Sequence, residues 1–542
     1  MTLVRMDIFR RSSAAPVGKR VCAPLALIAA AMSAILVAGC SSPASSSSAS
    51  GSSTSITVGL PAAPDALDPT TSSSLYGRIV FANMCQKLYD IDARLNLVPQ
   101  LAAALPKISD NGLTYTISLR PGIKFNDGTP LTAAAVKTTL DWYLTDPLSQ
   151  RASELSEVKS VQVTGPLTVE LHLSSPFAPL TSILADRSGM VLSPTALHKL
   201  GKNFGQDPVC VGPFSFSKRP STDQIVLVKS PWYYGKAGVH LQKVTFTVIT
   251  DPSAMTADLE SGDIQVADQI APQDVKTLQN NSATTVISQN SLGYEGLDFN
   301  VGNVHGSLNA PGRANNPFAQ HPQLREAFEL SLNRNEINKV VFDGQYTPGC
   351  TPIPPNSPWA VQVTCPSQNL PEARKLIAAS GMKAPIHVTL MLDNDPLEIQ
   401  LGTVVQSMAD SAGFAVSLQP TEFTTSLTRA QAGNYEMFQI GWSGRVDPDQ
   451  NIYNDWYPRS GLNYTGADYP ALDKLLVKAR TTLNTATRHS LYTQIVQTLE
   501  NERNIIYLWY DKFVLGLRKN VTGIGYYPDS LIRLAGARVG TG

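Results

Sequence analysis

In the stretch LTYTISL (113–119), Leu113, Tyr115, Ile117 and Leu119 alternate with Thr114, Thr116 and Ser118. A period of two predicts a strand with one buried face. The stretch LTAAAVKTTLDWYL (131–144) reads instead as a helix that the Thr132 hydroxyl can cap. Helical spacing recurs in 321–342, where Leu324, Ala327, Phe328 and Ser331 fall on one face. It recurs again in 469–480, where Pro470 stands in a first turn that tolerates it and Leu472, Leu475, Leu476 and Ala479 share a face. Leu491, Ile495 and Leu499 predict a following helix, and the apolar run NIIYLWY (504–510) a fully buried strand. No internal repeat is present. The pattern predicts a mixed α/β protein.

The amino-terminal end follows a different pattern. Arg5, Arg10, Arg11, Lys19 and Arg20 precede APLALIAAAMSAILVAG (23–39), 17 residues without a charge. A membrane-spanning helix needs about 20 apolar residues, so this run fits the apolar core of a signal peptide. It ends in Val37-Ala38-Gly39-Cys40, which resembles the lipobox of bacterial lipoproteins. That resemblance implies cleavage before Cys40 and a lipid on its sulfur; an uncleaved signal anchor is the alternative. Residues 41–55 are mostly serine and cannot bury a core, so they read as a flexible tether.

Loss of residues 1–39 would take the basic residues from 43 to 38 and the acids from 43 to 42, a net charge of about −4. Nothing in that balance favours a nucleic-acid partner. The remaining length predicts two or three domains. Six cysteines are present. Cys22 falls in the signal segment and Cys40 takes the lipid, which leaves Cys85, Cys210, Cys350 and Cys365. An even number in an exported protein predicts disulfides. Cys350 and Cys365 flank a proline-rich loop and are the favoured pair, with Cys85–Cys210 following by elimination; all three pairings, and free buried thiols, stay open. The absence of a Cys-x-x-Cys spacing gives no support to zinc or thioredoxin-type chemistry.

Residues 56–535 resemble the extracytoplasmic solute-binding proteins of ABC importers, peptide/nickel/opine type (family 5). The resemblance rests on PDALDPTTSSSLYGRIVFANMCQKLYDID (64–92) and on LVPQLAAALPKISDNGLTYTISLRPGIKFNDGTPLTAAAVKTTLDW (97–142). It continues through VGPFSF (211–216), SPWYYG (230–235), MTADLESGDIQVA (255–267) and SLGYEGLDFNVGN (291–303). It implies a two-lobed, hinged, periplasmic-binding-protein-like fold with an extra domain inserted in lobe one. On that basis 56–90, 196–288 and 511–542 form lobe one, 91–195 the insertion and 289–510 lobe two. Such a clamp closes on a ligand that touches both lobes only when closed.

The stretch QIGWSGRVDPDQNIYNDWY (439–457) holds the densest chemistry. As a nucleophile elbow it fails: Ser443 sits in Gly-x-Ser-Gly rather than Gly-x-Ser-x-Gly, and none of the seven scattered histidines marks a triad. As a metal site it also fails, because Asp447, Asp449 and Asp455 lack the glycine turn and distal glutamate of a calcium loop. As a ligand-gripping corner it fits: Trp442 offers an apolar face beside polar groups, and Gly441 and Gly444 permit close backbone approach.

In peptide-binding relatives this loop carries an aspartate for the peptide ammonium, about three residues after the tryptophan. Here that position is Arg445. A guanidinium seeks a carboxylate or phosphate, so either the ligand brings an acidic group to Arg445, or Arg445 pairs with Asp447 or Asp449 and braces the loop. Further ligand candidates are Asp68 and Tyr76, with Asp65, in the opening segment, and Asn463 and Tyr464 in the loop SGLNYTG. Phe299 and Asn300 end a crossing strand and serve either the hinge or the ligand.

The expected protein is a lipid-anchored, monomeric, non-enzymatic receptor outside the cytoplasmic membrane. It needs no cofactor, captures a small solute (a peptide, opine or related acidic compound) and passes it to an ABC permease. A nickel complex as the solute stays open. The alternatives are a sensing or scavenging lipoprotein of the same fold without an importer, and a secreted hydrolase, which the missing triad disfavours.

Overall fold

A computed structural model describes residues 54–540. The signal segment, Cys40 and most of the tether lie outside the described residues. Among the described residues no helix is long and apolar enough to cross a membrane.

Two large sheets organise the chain. The first has seven strands in the order Thr284–Asn290, Lys512–Arg518, Val266–Ala267, Ser55–Leu60, Lys243–Val248, Gln224–Lys229 and Phe214–Ser221. The second has six, in the order Thr347–Pro348, Ile505–Tyr510, Tyr294–Phe299, Met437–Trp442, Ile386–Asp393 and Phe414–Thr421. Between these two sheets the chain crosses in two places. Ser291, Leu292 and Gly293 join Asn290 to Tyr294, and the single residue Asp511 joins Tyr510 to Lys512. The Ser291 N–H donates to the Asp511 carbonyl at 3.0 Å and ties the crossings together. Such short parallel connections leave few dihedrals to absorb a rotation, which is how a hinge between two lobes is built.

A third sheet, of four strands between Lys107 and Leu173, lies beside the first lobe. Its Tyr115, Ile117 and Val169 belong to the same buried apolar cluster as Ile56, Val58 and Leu515 of the seven-stranded sheet. The segment 91–195 thus shares its core with the first lobe.

Local signals are realised closely. The helix Ala133–Thr145 starts at Thr132, whose hydroxyl accepts from the Ala135 N–H at 3.2 Å. The helix Pro470–Thr481 carries Pro470 in its first turn, and Ile505–Tyr510 is a strand buried along its whole length. The stretch 321–342 differs, because it forms two helices, Gln323–Ser331 and Arg334–Phe342. Leu332 turns extended, and the Asn333 side chain caps the second helix through the Glu336 N–H at 3.1 Å. An asparagine at that point offers the backbone a new start that periodicity alone does not register. The structure joins Cys85 to Cys210 and Cys350 to Cys365, with Cα separations of 4.9 and 5.5 Å.

A carboxylate-lined cavity between the lobes

The strand Met437–Trp442 runs into the Gly-Trp-Ser-Gly corner, which packs on the first crossing. Gly444 adopts φ +74°, and an added Cβ there would collide with the Leu292 and Gly293 backbone. Both constraints require glycine. A cavity opens beside this corner. Tyr76 and Ser74 line it from one lobe, and Trp442, Ser443, Tyr464 and Phe423 from the other. The Tyr76 and Phe423 rings meet edge-on across it at 5.5 Å.

The charged residues of the corner point elsewhere. Arg445 is 6% exposed, does not line the cavity, and pairs through Nε with Asp186 of the first lobe's side. Its guanidinium also lies 4.4 Å from the Trp442 ring centroid. Asp186 accepts as well from Arg78 Nε at 3.2 Å, and Arg78 Nη1 donates to Ser443 Oγ at 3.0 Å. Burial raises the Asp186 pKa, but Arg445 and Arg78 outweigh it and hold the carboxyl well below the usual carboxylate range. Asp447 takes a bidentate pair from Arg488 at 2.6 and 2.7 Å, and Asp449 pairs with Arg480 at 3.1 Å.

The expectations for Arg445, Asp447 and Asp449 are therefore corrected. All three brace the corner through partners distant in sequence, because a buried charge is tolerated only when paired. Arg445 neither faces the cavity nor pairs with Asp447 or Asp449. Asp68 is also set apart: it accepts from the Thr70 N–H at 2.8 Å and closes a turn. Asp65 does the same for Ser72, Ser73 and Ser74. Asn463 accepts from Ala467 N–H at 2.9 Å and holds its own loop. Phe299 is core, and Asn300 Nδ2 donates to the Asn303 and Gly433 carbonyls. Of the candidate ligand residues, Trp442, Tyr76 and Tyr464 line the cavity.

What lines it in addition is acid. Glu295, Glu398, Asp511, Asp393 and Asp395 stand at one end of the six-stranded sheet, Asp298 lies three residues further along the strand from Glu295, and Asp455 lines the cavity as well. Among the described residues Lys512 is the one basic residue that lines it. Gln439 Nε2 donates to Glu295 at 3.1 Å and Trp509 Nε1 to Asp511 at 2.7 Å. Burial, then the neighbouring Asp395, pushes Asp393 up to about 7, and burial pushes Asp511 up to about 6. Burial, followed by repulsion from Asp511 and Glu398, raises Glu295 well above the usual range. Burial raises Asp298 in the same way, and burial with repulsion from Asp298 raises Asp455.

Six of these acids carried no candidate role in the sequence, and Asp455 was considered only as a metal ligand. The available signal was an acid inside an otherwise apolar strand, as in GYEGLDF (293–299), or directly after one, as with Asp511.

These shifts make a pH prediction for the ligand-free protein. The folded state binds these protons more tightly than the unfolded chain, so stability is fully present below about pH 4 and falls as pH rises through the raised values. Carboxyls held low, such as Asp186, titrate below that window. Thermal unfolding should therefore show a melting temperature several degrees higher at pH 5 than at pH 8. An equal or higher value at pH 8 would contradict the uncompensated cluster.

Among known proteins, the model of the bacterial extracellular solute-binding proteins, family 5 (middle) matches residues 96–464. The glutathione-binding protein GsiB of Shigella dysenteriae is 27% identical over 484 residues, covering 86% of this chain and 90% of its own. The oligopeptide-binding protein AppA of Bacillus subtilis, solved with a nonapeptide, superposes with a TM-score of 0.82 at 23% identity, over 90% of this chain and 99% of its own. NikA of Staphylococcus aureus, solved with Ni(L-His)2, gives 0.79 at 18% identity, over 90% and 100%. The two lobes, the paired crossings and the cavity between them accord with these matches: the chain belongs to the bacterial extracellular solute-binding proteins of family 5, and it is a binding protein rather than an enzyme.

Proposed function

We propose that this protein is a lipid-anchored receptor, tethered through Cys40, that captures an organic cation between its lobes and delivers it to an ABC permease. One observation carries the charge of the ligand: among the described residues Lys512 is the only basic residue set against the acids that line the cavity. Burying carboxyls without counter-charge is unfavourable, and a cationic ligand supplies that charge. The rings of Trp442, Tyr294 and Tyr464 add faces that attract cations. An acidic ligand, the expectation built on Arg445, loses its support because Asp186 already occupies that guanidinium. The cavity volume of about 240 Å³ lies just below the ~300–1,000 Å³ of typical small-molecule sites, which favours a small solute over a long peptide.

Relatives support the wider reading. GsiB is named for glutathione, and AppA holds a peptide. The test is a thermal-shift and calorimetry panel at pH 7.5, since a ligand stabilises by mass action. Lysine- and arginine-containing dipeptides and aliphatic amines should raise the melting temperature, and glutamate-containing peptides and opine-like acids should not. Binding of the acids alone would overturn the reading.

A further inference from the structure

The carboxyls do not form one patch. In the strand Tyr294–Phe299, Glu295 stands opposite Gly441 and Asp298 opposite Phe438. Side chains alternate along a strand, so residues three apart point to opposite faces and stand about 10 Å apart. Leu297 packs into the core on the Glu295 face, whereas Tyr294 belongs to a different buried cluster on the Asp298 face. Both acids nevertheless line the same cavity. Glu295 lies with Asp511 and Glu398, and Asp298 with Asp455.

The two groups also share an unusual state. Asp298 is 5% exposed and makes no side-chain hydrogen bond or ion pair among the described residues. One oxygen of Glu398 and one of Asp455 are buried without a partner, while Asp455 also engages the Tyr294 hydroxyl and Glu295 and Asp511 share a hydrogen bond, so each group holds at least one carboxyl oxygen that no donor or cation meets. A buried acid left unpaired is destabilising, so its retention at both ends of one cavity points to an absent counter-charge at each. Among the described residues no three acids, histidines or cysteines converge as ligands of one metal ion. A single ammonium bonds carboxylates within about 3 Å and cannot reach both groups.

We propose that the solute carries two positive charges joined by a flexible apolar spacer, one end held by Glu295, Glu398 and Asp511 and the other by Asp298 and Asp455. This rests on the cationic reading above. The shared chemistry is that of an α,ω-diamine, and it has two sources: a free di- or polyamine, or a short peptide with a basic group at each end. Trp442 and Tyr294 line the same cavity, and their rings suit a methylene chain as well as a cation.

Calorimetry on the full chain in amine-free phosphate buffer tests it. A series of α,ω-diaminoalkanes should pass through an affinity optimum with length. The optimal diamine should bind at least tenfold tighter than the monoamine with the same carbon chain. Asp298→Asn should fold, since burial already disfavours the charged carboxylate and the amide is close to the neutral acid in shape, and should bring the diamine-to-monoamine ratio close to one. Spermidine tighter than Lys-Lys identifies a polyamine as the source, and the reverse order identifies a basic peptide. Equal affinity of monoamine and diamine for the unaltered protein overturns the two-charge inference while leaving a cationic ligand in place. Binding of neutral or acidic compounds with no amine binding at all overturns both.

Discussion

Asp186→Ala is expected to weaken ligand binding by about a hundredfold or more. Among the described residues Asp186 is the carboxylate that ion-pairs with both Arg78, which lies in the helix Leu75–Met84, and Arg445, which comes from the opposite lobe. Its removal leaves two guanidiniums facing each other in a site where both are buried. Breaking such a pair destabilises by about 3–5 kcal/mol, and about 1.4 kcal/mol is a factor of ten in affinity. The strain is relieved when the lobes part, because Arg445 can then reach water. The closed form should therefore suffer more than the fold.

Calorimetry should show the affinity loss, and small-angle scattering a more open shape with ligand present. The melting temperature of the ligand-free protein should fall less in proportion. Arg445→Ala should be milder, since Asp186 keeps Arg78. Unchanged affinity in Asp186→Ala would show that this contact does not hold the lobes together.

The double replacement Cys85→Ser, Cys210→Ser should be the most destabilising change to the fold itself. The bridge closes a separation of 125 residues, against 15 for Cys350–Cys365. Loop-closure entropy predicts losses of about 5 and about 3 kcal/mol respectively. The first bridge also pins the end of the helix Leu75–Met84, whose Tyr76 lines the cavity and whose Arg78 holds Asp186. On the other side, an added Cβ at Gly212 would collide with the Met84 backbone, so Cys210 and its neighbours lie directly on that helix end. Urea unfolding should show the larger loss for the Cys85/Cys210 pair. A larger loss for the Cys350/Cys365 pair would contradict this ranking.

Much of the architecture was legible because it is written locally. Thr132 and Pro470 act on backbone groups within three or four positions, and the strand 504–510 announces itself by composition. The corner was legible for the same reason, since Gly444 answers a local requirement for positive φ. The break at Leu332 was missed because helical spacing continues on both sides of it.

The functional charge was not legible. Arg445 finds Asp186 across 259 positions, and Asp447 finds Arg488 across 41. A reading confined to neighbours offered Arg445 only Asp447, Asp449 or a ligand. The acids of the cavity come from four separate segments, around 295, 393, 455 and 511, and each alone resembles an ordinary loop or strand-end acid.

The sequence by itself thus determined the α/β elements, their caps and turns, the family resemblance and the glycine-framed corner, because these follow from periodicity and short-range hydrogen bonding. Only the tertiary structure decided which charges cancel and which remain. Electrostatic pairing depends on distance in space and on burial, and both are set by segments far apart in sequence that meet only in the folded sheet and, for Arg445 and Asp186, across the two lobes.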